Sequence, residues 1–182
     1  MESKVILVTG ASSGIGKATA LALAERNHRV SAGARRIERM ESLTESGVSA
    51  HFLDLTEEDS IEEFVADVLK REGRIDVLVN NAGYGVYGSV EDVSIREARE
   101  QFEVNLFGLA RLTQLVLPTM RDQGSGTIIN LSSMGGKVYT PLGSWYHATK
   151  HALEGWSDCL RIEVAQFGIN VSIIEPGAIE TE

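Results

Sequence analysis

The chain has 182 residues, 43% hydrophobic and 24% charged, with a formal net charge of −9. That is an ordinary globular composition, and it gives enough length for one domain with a real core. The acidic balance argues against nucleic acid as a partner, since phosphate binding calls for a basic face, and no stretch approaches the roughly 20 apolar residues that span a bilayer.

The N-terminus leads straight into the apolar run Val5-Ile6-Leu7-Val8 with no leader-like region before it. Together with a single cysteine, Cys159, which excludes an internal disulfide and fits a reducing compartment, this predicts a cytoplasmic protein. Further strands are predicted over 29–32, 49–53, 77–79, 126–131 and 170–174, with helices over 15–26, 37–45, 58–72, 95–121 and 144–167. Continuous apolar strands separated by helices imply parallel pairing with both sheet faces covered, a doubly wound α/β domain. Thr56, three residues before Asp59, suits an N-cap for the third helix. Gly124-Ser125-Gly126 ends the long fourth helix. With no repeat, low-complexity tract or linker, residues 1–182 read as one unit.

Between the first strand and the first helix lies Gly10-Ala11-Ser12-Ser13-Gly14-Ile15-Gly16. Glycines there let the backbone turn tightly against a pyrophosphate, while the helix N-terminus offers free N–H groups. The spacing is G-x-x-x-G-x-G rather than the G-x-G-x-x-G of the standard dinucleotide fingerprint. Farther along, Tyr146 and Lys150 stand four residues apart on a predicted helix, hence on one face, with Ser133 thirteen residues upstream of the tyrosine. A lysine ammonium beside a phenol favours the phenolate and makes it an acid/base group.

Thr9-Gly10-x-x-x-Gly14-Ile15-Gly16, Asn80-Asn81-Ala82-Gly83, Asn105, Ser133, Tyr146-x-x-x-Lys150 and Pro176-Gly177 resemble, in order and spacing, the motifs of the short-chain dehydrogenase/reductases. The resemblance runs from residue 9 to residue 181. It implies hydride transfer between a nicotinamide and a carbonyl or alcohol, with Tyr146 exchanging a proton with the substrate oxygen and Ser133 holding that oxygen. Lys150 would favour the tyrosinate and bind the nicotinamide ribose, and Asn105 would anchor a water linking Lys150 to solvent. Ser132 is adjacent, but the spacing to Tyr146 favours Ser133.

For the cofactor, the resemblance implies contacts from Gly10, Ser12, Ser13, Gly14, Ile15 and Gly16, and from Asn81, Ala82 and Gly83 after the fourth strand. Asn80 would fix the neighbouring strand's backbone. Pro176, Gly177, Ile179 and Thr181 would close over the nicotinamide, alongside Tyr146 and Lys150. The segment Ala32-Gly33-Ala34-Arg35-Arg36, where the ribose is selected, holds two arginines and no acid. Arginine grips a phosphate bidentately, so Arg35 and Arg36 favour NADP(H) over NAD(H); the other reading is solvated charges at a helix start. Asp54, with Leu55, either meets the adenine or caps a helix.

His147 and His151 are also four apart, yet no ligand set accompanies them, so no metal is expected. Cys159 reads as a small buried hydrophobe. Tyr84, Tyr87, Met134, Tyr139, Leu142 and Trp145 either line an apolar substrate pocket or pack on their own fold. The resemblance further implies a homodimer or homotetramer built on the helices after the fourth and fifth strands. It also implies substrate-covering helices, a seventh strand and a last helix beyond Glu182, so the unit is expected to be incomplete at its C-terminus. A different class, a nucleotide-binding regulatory protein that holds NADP(H) without turnover, is the alternative; the intact Ser133, Tyr146 and Lys150 count against it.

Overall fold

The computed structural model describes residues 2–180. The strands are β1 (Val5–Thr9), β2 (Arg29–Ala34), β3 (Ser49–Phe52), β4 (Val77–Asn80), β5 (Gly126–Leu131) and β6 (Ile169–Ile174). They form one parallel sheet in the order β3-β2-β1-β4-β5-β6. Helices α1 (Gly14–Ala24), α2 (Glu41–Glu45), α3 (Glu58–Glu72), α4 (Ile95–Phe102), α5 (Gly108–Gln123) and α6 (Ser144–Val164) connect them.

All residues of β1 and β4 are buried, which is why both read as unbroken apolar runs. Against one face of the sheet, Phe64 and Val68 of α3, Leu112 and Val116 of α5 and Leu160 of α6 meet Leu7, Leu78 and Ile128. Each such fully buried side chain contributes about 1.5–3 kcal/mol. Ala20 of α1 and Leu43 of α2 pack on Ile6, Val8 and Val30 of the other face. Toward β4 to β6 that second face bears an apolar hollow of about 770 Å³, lined by Val77, Val79, Ile129, Leu131 and Ile174 among others. Among the described residues, no helix is long and apolar enough to cross a membrane.

Three local expectations change. The single helix expected over 95–121 is two helices joined by a π-helical turn, Glu103–Phe107. Its start carries a capping box in which Ser94 and Glu97 each bond the other's backbone N–H. The segment expected as a helix over 37–45 opens with a 3₁₀ turn, Ile37–Met40. Thr56 is not the cap of α3; Glu57 holds that position. Thr56 instead donates its N–H and Oγ1 to Asp54 Oδ1, at 3.0 and 2.8 Å, because an aspartate two residues earlier closes a local turn. Gly124 does end α5, in the left-handed conformation that glycine adopts most easily.

Candidate active site

Strands β2 and β3 extend the sheet to one side of β1, and β4 to β6 extend it to the other. The order in which strands are added therefore reverses between β1 and β4, and a crevice opens beyond their C-terminal ends. A cleft of about 770 Å³ lies there, within the usual size of a ligand site.

One wall is the glycine turn. Gly10 has φ +68° and Gly14 φ +55°, values that a side chain strains. Gly16 does not line the cleft: a Cβ there would lie 2.4 Å from Asn81 Nδ2 and 2.6 Å from Gly10 O. It keeps α1 tight against the turn. Thr9 Oγ1 accepts the N–H groups of Asn81 and Ala82, both at 3.0 Å, and Asn81 Nδ2 donates to Thr9 O at 2.8 Å. The tips of β1 and β4 are thus stapled by Thr9 and Asn81.

Asn80, expected to do this, points elsewhere, because neighbouring strand residues face opposite sides. Its Nδ2 donates to Asn130 Oδ1 at 2.9 Å and Thr113 Oγ1 at 3.1 Å, and Asn130 donates onward to Ser157 Oγ at 2.8 Å. These four residues form a buried polar ladder that joins α5, β4, β5 and α6. The sequence signal was the asparagine interrupting the apolar run of β5.

Ser12, Ser13, Gly14, Ile15, Arg35, Arg36, Asp54 and Leu55 all line the cleft, as do Asn81, Ala82, Gly83, Pro176, Gly177 and Ile179. Thr181 lies outside the described residues. Arg36 Nη2 donates to Ser12 Oγ at 3.2 Å and Ser13 Oγ at 3.3 Å, which brings its guanidinium to the glycine turn. Val104 also lines the cleft, although nothing marked it in the sequence.

The opposite wall is built from β5 and α6. Lys150 is 6% exposed; its Nζ donates to Leu131 O at 2.8 Å and lies 5.9 Å from the centre of the Tyr146 ring. Burial lowers its pKa to about 8, against the opposing pull of the Glu154 carboxylate one turn further along α6. The Tyr146 ring packs on Tyr87 at 5.6 Å between centroids and against Gly135, where a Cβ would come within 3.1 Å of Tyr146 Cε1.

Ser133 caps a 3₁₀ turn, Met134–Gly136, and its Oγ accepts the Gly135 N–H at 3.0 Å. Ser132 is buried, and its Oγ would meet a Gly136 Cβ at 2.8 Å, beside Glu154. Ser133 is the more open of the two.

Asn105, on the π-helical turn, is buried and does not line the cleft. Its Oδ1 accepts the Tyr84 N–H at 3.0 Å, and its Nδ2 donates to Tyr84 O at 2.8 Å and Thr149 Oγ1 at 3.0 Å. The side chain expected to anchor a water is committed to protein; it fixes the loop after β4 to α6.

Of the aromatic cluster, Tyr84 and Tyr87 line the cleft; Met134, Tyr139 and Leu142 are exposed on the loop after Ser133 without lining it. Cys159 is exposed, not buried, since α6 turns it away from the face that buries Leu153 and Leu160. Among the described residues, no group of three or more His, Cys, Asp or Glu is placed to hold a metal.

Comparison with known proteins agrees with this geometry. Residues 4–182 match the family model described as short chain dehydrogenase. The chain is 44% identical over 189 residues to the uncharacterized oxidoreductase YusZ of Bacillus subtilis, covering 100% of this chain and 67% of the relative. It is 39% identical over 175 residues to the probable short-chain type dehydrogenase/reductase VdlC of Helicobacter pylori, covering 96% of this chain and 65% of that protein. The chain thus spans about two thirds of the length of these curated relatives.

Among solved structures, a short-chain dehydrogenase from Streptomyces avermitilis superposes with a TM-score of 0.95 at 48% identity, over 98% of this chain and 67% of that one. An actinorhodin polyketide ketoreductase with NADPH matches with a TM-score of 0.93 at 38% identity, over 98% of this chain and 72% of its own. An NAD+-bound xylitol dehydrogenase matches at 0.89 and 34%, over 96% and 70%.

Proposed function

This chain belongs to the short-chain dehydrogenase family, and we propose that it is an oxidoreductase moving hydride between NADP(H) and a carbonyl/alcohol pair. The observation that carries the proposal is the convergence of Ser133, Tyr146 and Lys150 on one wall of a cleft whose other wall is the glycine turn.

The residues fit a dinucleotide. The turn at Gly10 and Gly14 brings backbone close to the cleft at the start of α1, where free N–H groups favour a pyrophosphate. The Arg36 guanidinium, held over Ser12 and Ser13, supplies charge for a 2′-phosphate, and no acid at the end of β2 opposes it. Arg35 adds a second cation on the same rim. Gly83 keeps the floor low, since a Cβ there would crowd Asn105 Oδ1 at 3.1 Å and approach Lys150 Nζ at 3.6 Å. When bound, a nicotinamide supplies the hydride.

Tyr146 then gives a proton to the substrate oxygen in reduction and takes it back in oxidation. Ser133 donates a hydrogen bond to that oxygen, a contact that strengthens as negative charge develops there. Lys150 places an ammonium beside the phenol ring and, with its remaining N–H donors, is available to ribose hydroxyls. Asn105 holds the floor loop that sets the approach to Lys150, through its bonds to Tyr84 and Thr149. Tyr84 and Tyr87 present apolar surface to the substrate side, which suits an apolar ketone or aldehyde. Phe107 and Ile162, 54% and 79% exposed on the helical layer, offer contact area for a homodimer or homotetramer.

The test is a fluorescence titration with NADPH and NADH, followed by NADPH oxidation against a panel of ketones and aldehydes. Tighter NADPH binding with turnover of at least one carbonyl compound is expected. Tight binding with no turnover across the panel would favour a nucleotide-binding regulator instead.

A further inference from the structure

His147 follows Tyr146 in the chain, is 8% exposed, and bonds through both ring nitrogens. Its Nε2 receives the Thr140 backbone N–H at 3.1 Å, with Thr140 Oγ1 at 3.0 Å from the same nitrogen. A backbone N–H only donates, so Nε2 must be the acceptor and the ring hydrogen must sit on Nδ1. Nδ1 lies 2.9 Å from Gly135 O, which accepts that hydrogen. Glycines at 135 and 143 make room for the ring: a Cβ at either would come within 2.9 Å and 2.7 Å of it, respectively.

Gly135 carries the arrangement on to the reacting groups. Its N–H donates to Ser133 Oγ at 3.0 Å, and a Cβ added to it would come within 3.1 Å of Tyr146 Cε1. A serine hydroxyl whose oxygen already accepts a backbone N–H keeps its own hydrogen free for another acceptor.

We propose that His147 is a positioning residue that, by clamping the Ser133–Gly135 turn, orients Ser133 as a hydrogen-bond donor toward the substrate oxygen. Every donor in the series points the same way: Thr140 N–H to His147, His147 Nδ1–H to Gly135 O, Gly135 N–H to Ser133, Ser133 O–H to substrate. The Gly135 C=O and N–H belong to successive peptide units, so the histidine acts by fixing the backbone of the turn rather than by relaying charge through it. The proposal rests on the hydride-transfer reading above, in which Ser133 touches the substrate oxygen.

The experiment is a double-mutant cycle on NADPH oxidation with 9,10-phenanthrenequinone, an apolar diketone, as the probe. His147→Leu removes both ring nitrogens and is expected to lower kcat about tenfold, a fraction of what losing an oxyanion donor costs, with NADPH affinity unchanged. His147→Asn, whose amide reaches Gly135 O from the Nδ1 position, is expected to retain most of kcat. In a Ser133→Ala background, His147→Leu is expected to cost nothing further, because its effect passes through the serine hydroxyl.

Losses that multiply in the double variant, or a wild-type kcat in His147→Leu, overturn the proposal. Wild-type turnover in Ser133→Ala alone overturns instead the contact between Ser133 and the substrate oxygen, and complete absence of NADPH oxidation in the wild type overturns the hydride-transfer reading. Nitrogen-15 NMR of the histidine rings in the intact chain gives an answer free of turnover and of variant folding. A hydrogen on Nδ1 of His147 is expected, and one on Nε2 overturns the series.

Discussion

The Lys150 ammonium donates at 2.8 Å to the main-chain carbonyl of Leu131, the last residue of β5. A buried cation is thereby held by a peptide dipole rather than by a direct carboxylate partner. This ties the second turn of α6 to the strand end that precedes Ser133, and keeps the charge beside Tyr146.

That burial has a measurable cost. The pKa of Lys150 is lowered from 10.5 to about 8. Between those values the unfolded chain holds a proton that the folded chain has released, so stability should rise with pH across the window. Below about pH 8 the penalty, at most about 3 kcal/mol, is present in full. Lys150→Met should remove this slope. Denaturant unfolding of both proteins at several pH values checks it: wild type should gain on the variant as pH rises through the window.

Tyr146→Phe should leave the fold intact, since no side-chain hydrogen bond of the phenol is needed to hold the helix, and should change NADPH affinity far less than turnover. Turnover should fall by about 10²–10⁴, the usual worth of a positioned acid/base group. Steady-state NADPH oxidation beside a cofactor titration separates the two effects. Unchanged turnover would remove the tyrosine from the chemistry.

Arg36→Ala should weaken NADPH binding by about 10–100-fold, the scale of one or two charge-assisted hydrogen bonds, while NADH binding stays as it was. Parallel titrations with the two nucleotides are sufficient. Equal weakening of both would mean that the guanidinium serves the glycine turn through Ser12 and Ser13 rather than a 2′-phosphate.

Asn105→Leu should cost about 2–4 kcal/mol of stability, because it strands the part-buried Tyr84 N–H and C=O; the Thr149 hydroxyl loses a donor but keeps its own bond to Tyr146 O. Asn105→Asp retains an acceptor for the Tyr84 N–H but gives up both donors, so a comparable loss is expected. Equilibrium unfolding measures both.

The strands were legible because β1 and β4 are buried along their whole length, and the apolar run is the direct imprint of that environment. The glycine turn, Ser133, Tyr146 and Lys150 were legible because their chemistry demands fixed residue types at fixed spacing. What escaped was long-range. Asn80 meets Thr113 and Asn130 across 33 and 50 residues, and Asn130 meets Ser157 across 27. Only the sheet order brings those partners together. The division of labour between Asn80 and Asn81 is hidden for a local reason: side-chain alternation at the end of β4 decides which asparagine faces β1 and which faces α5. Cys159 was misplaced because one apolar-looking residue does not fix which side of α6 turns inward.

The π-helical turn at Glu103–Phe107 also changes the angular bookkeeping of the helical segment that contains it. Such a turn takes one residue more than an α-turn over the same rise, and one residue is worth about 100° of rotation. The faces of α4 and α5 are therefore out of phase with a continuous helix. Val104 reaches the cleft while Asn105 reaches Tyr84 and Thr149, and Gly108 fits beneath Leu55, whose carbonyl would lie 2.1 Å from any Cβ placed there. A chain shortened by one residue in this turn would keep every motif of the cleft and its sequence order. It would nonetheless swing either the asparagine or the glycine off its mark, so the length of this segment is as much a determinant of the site as the identity of its residues.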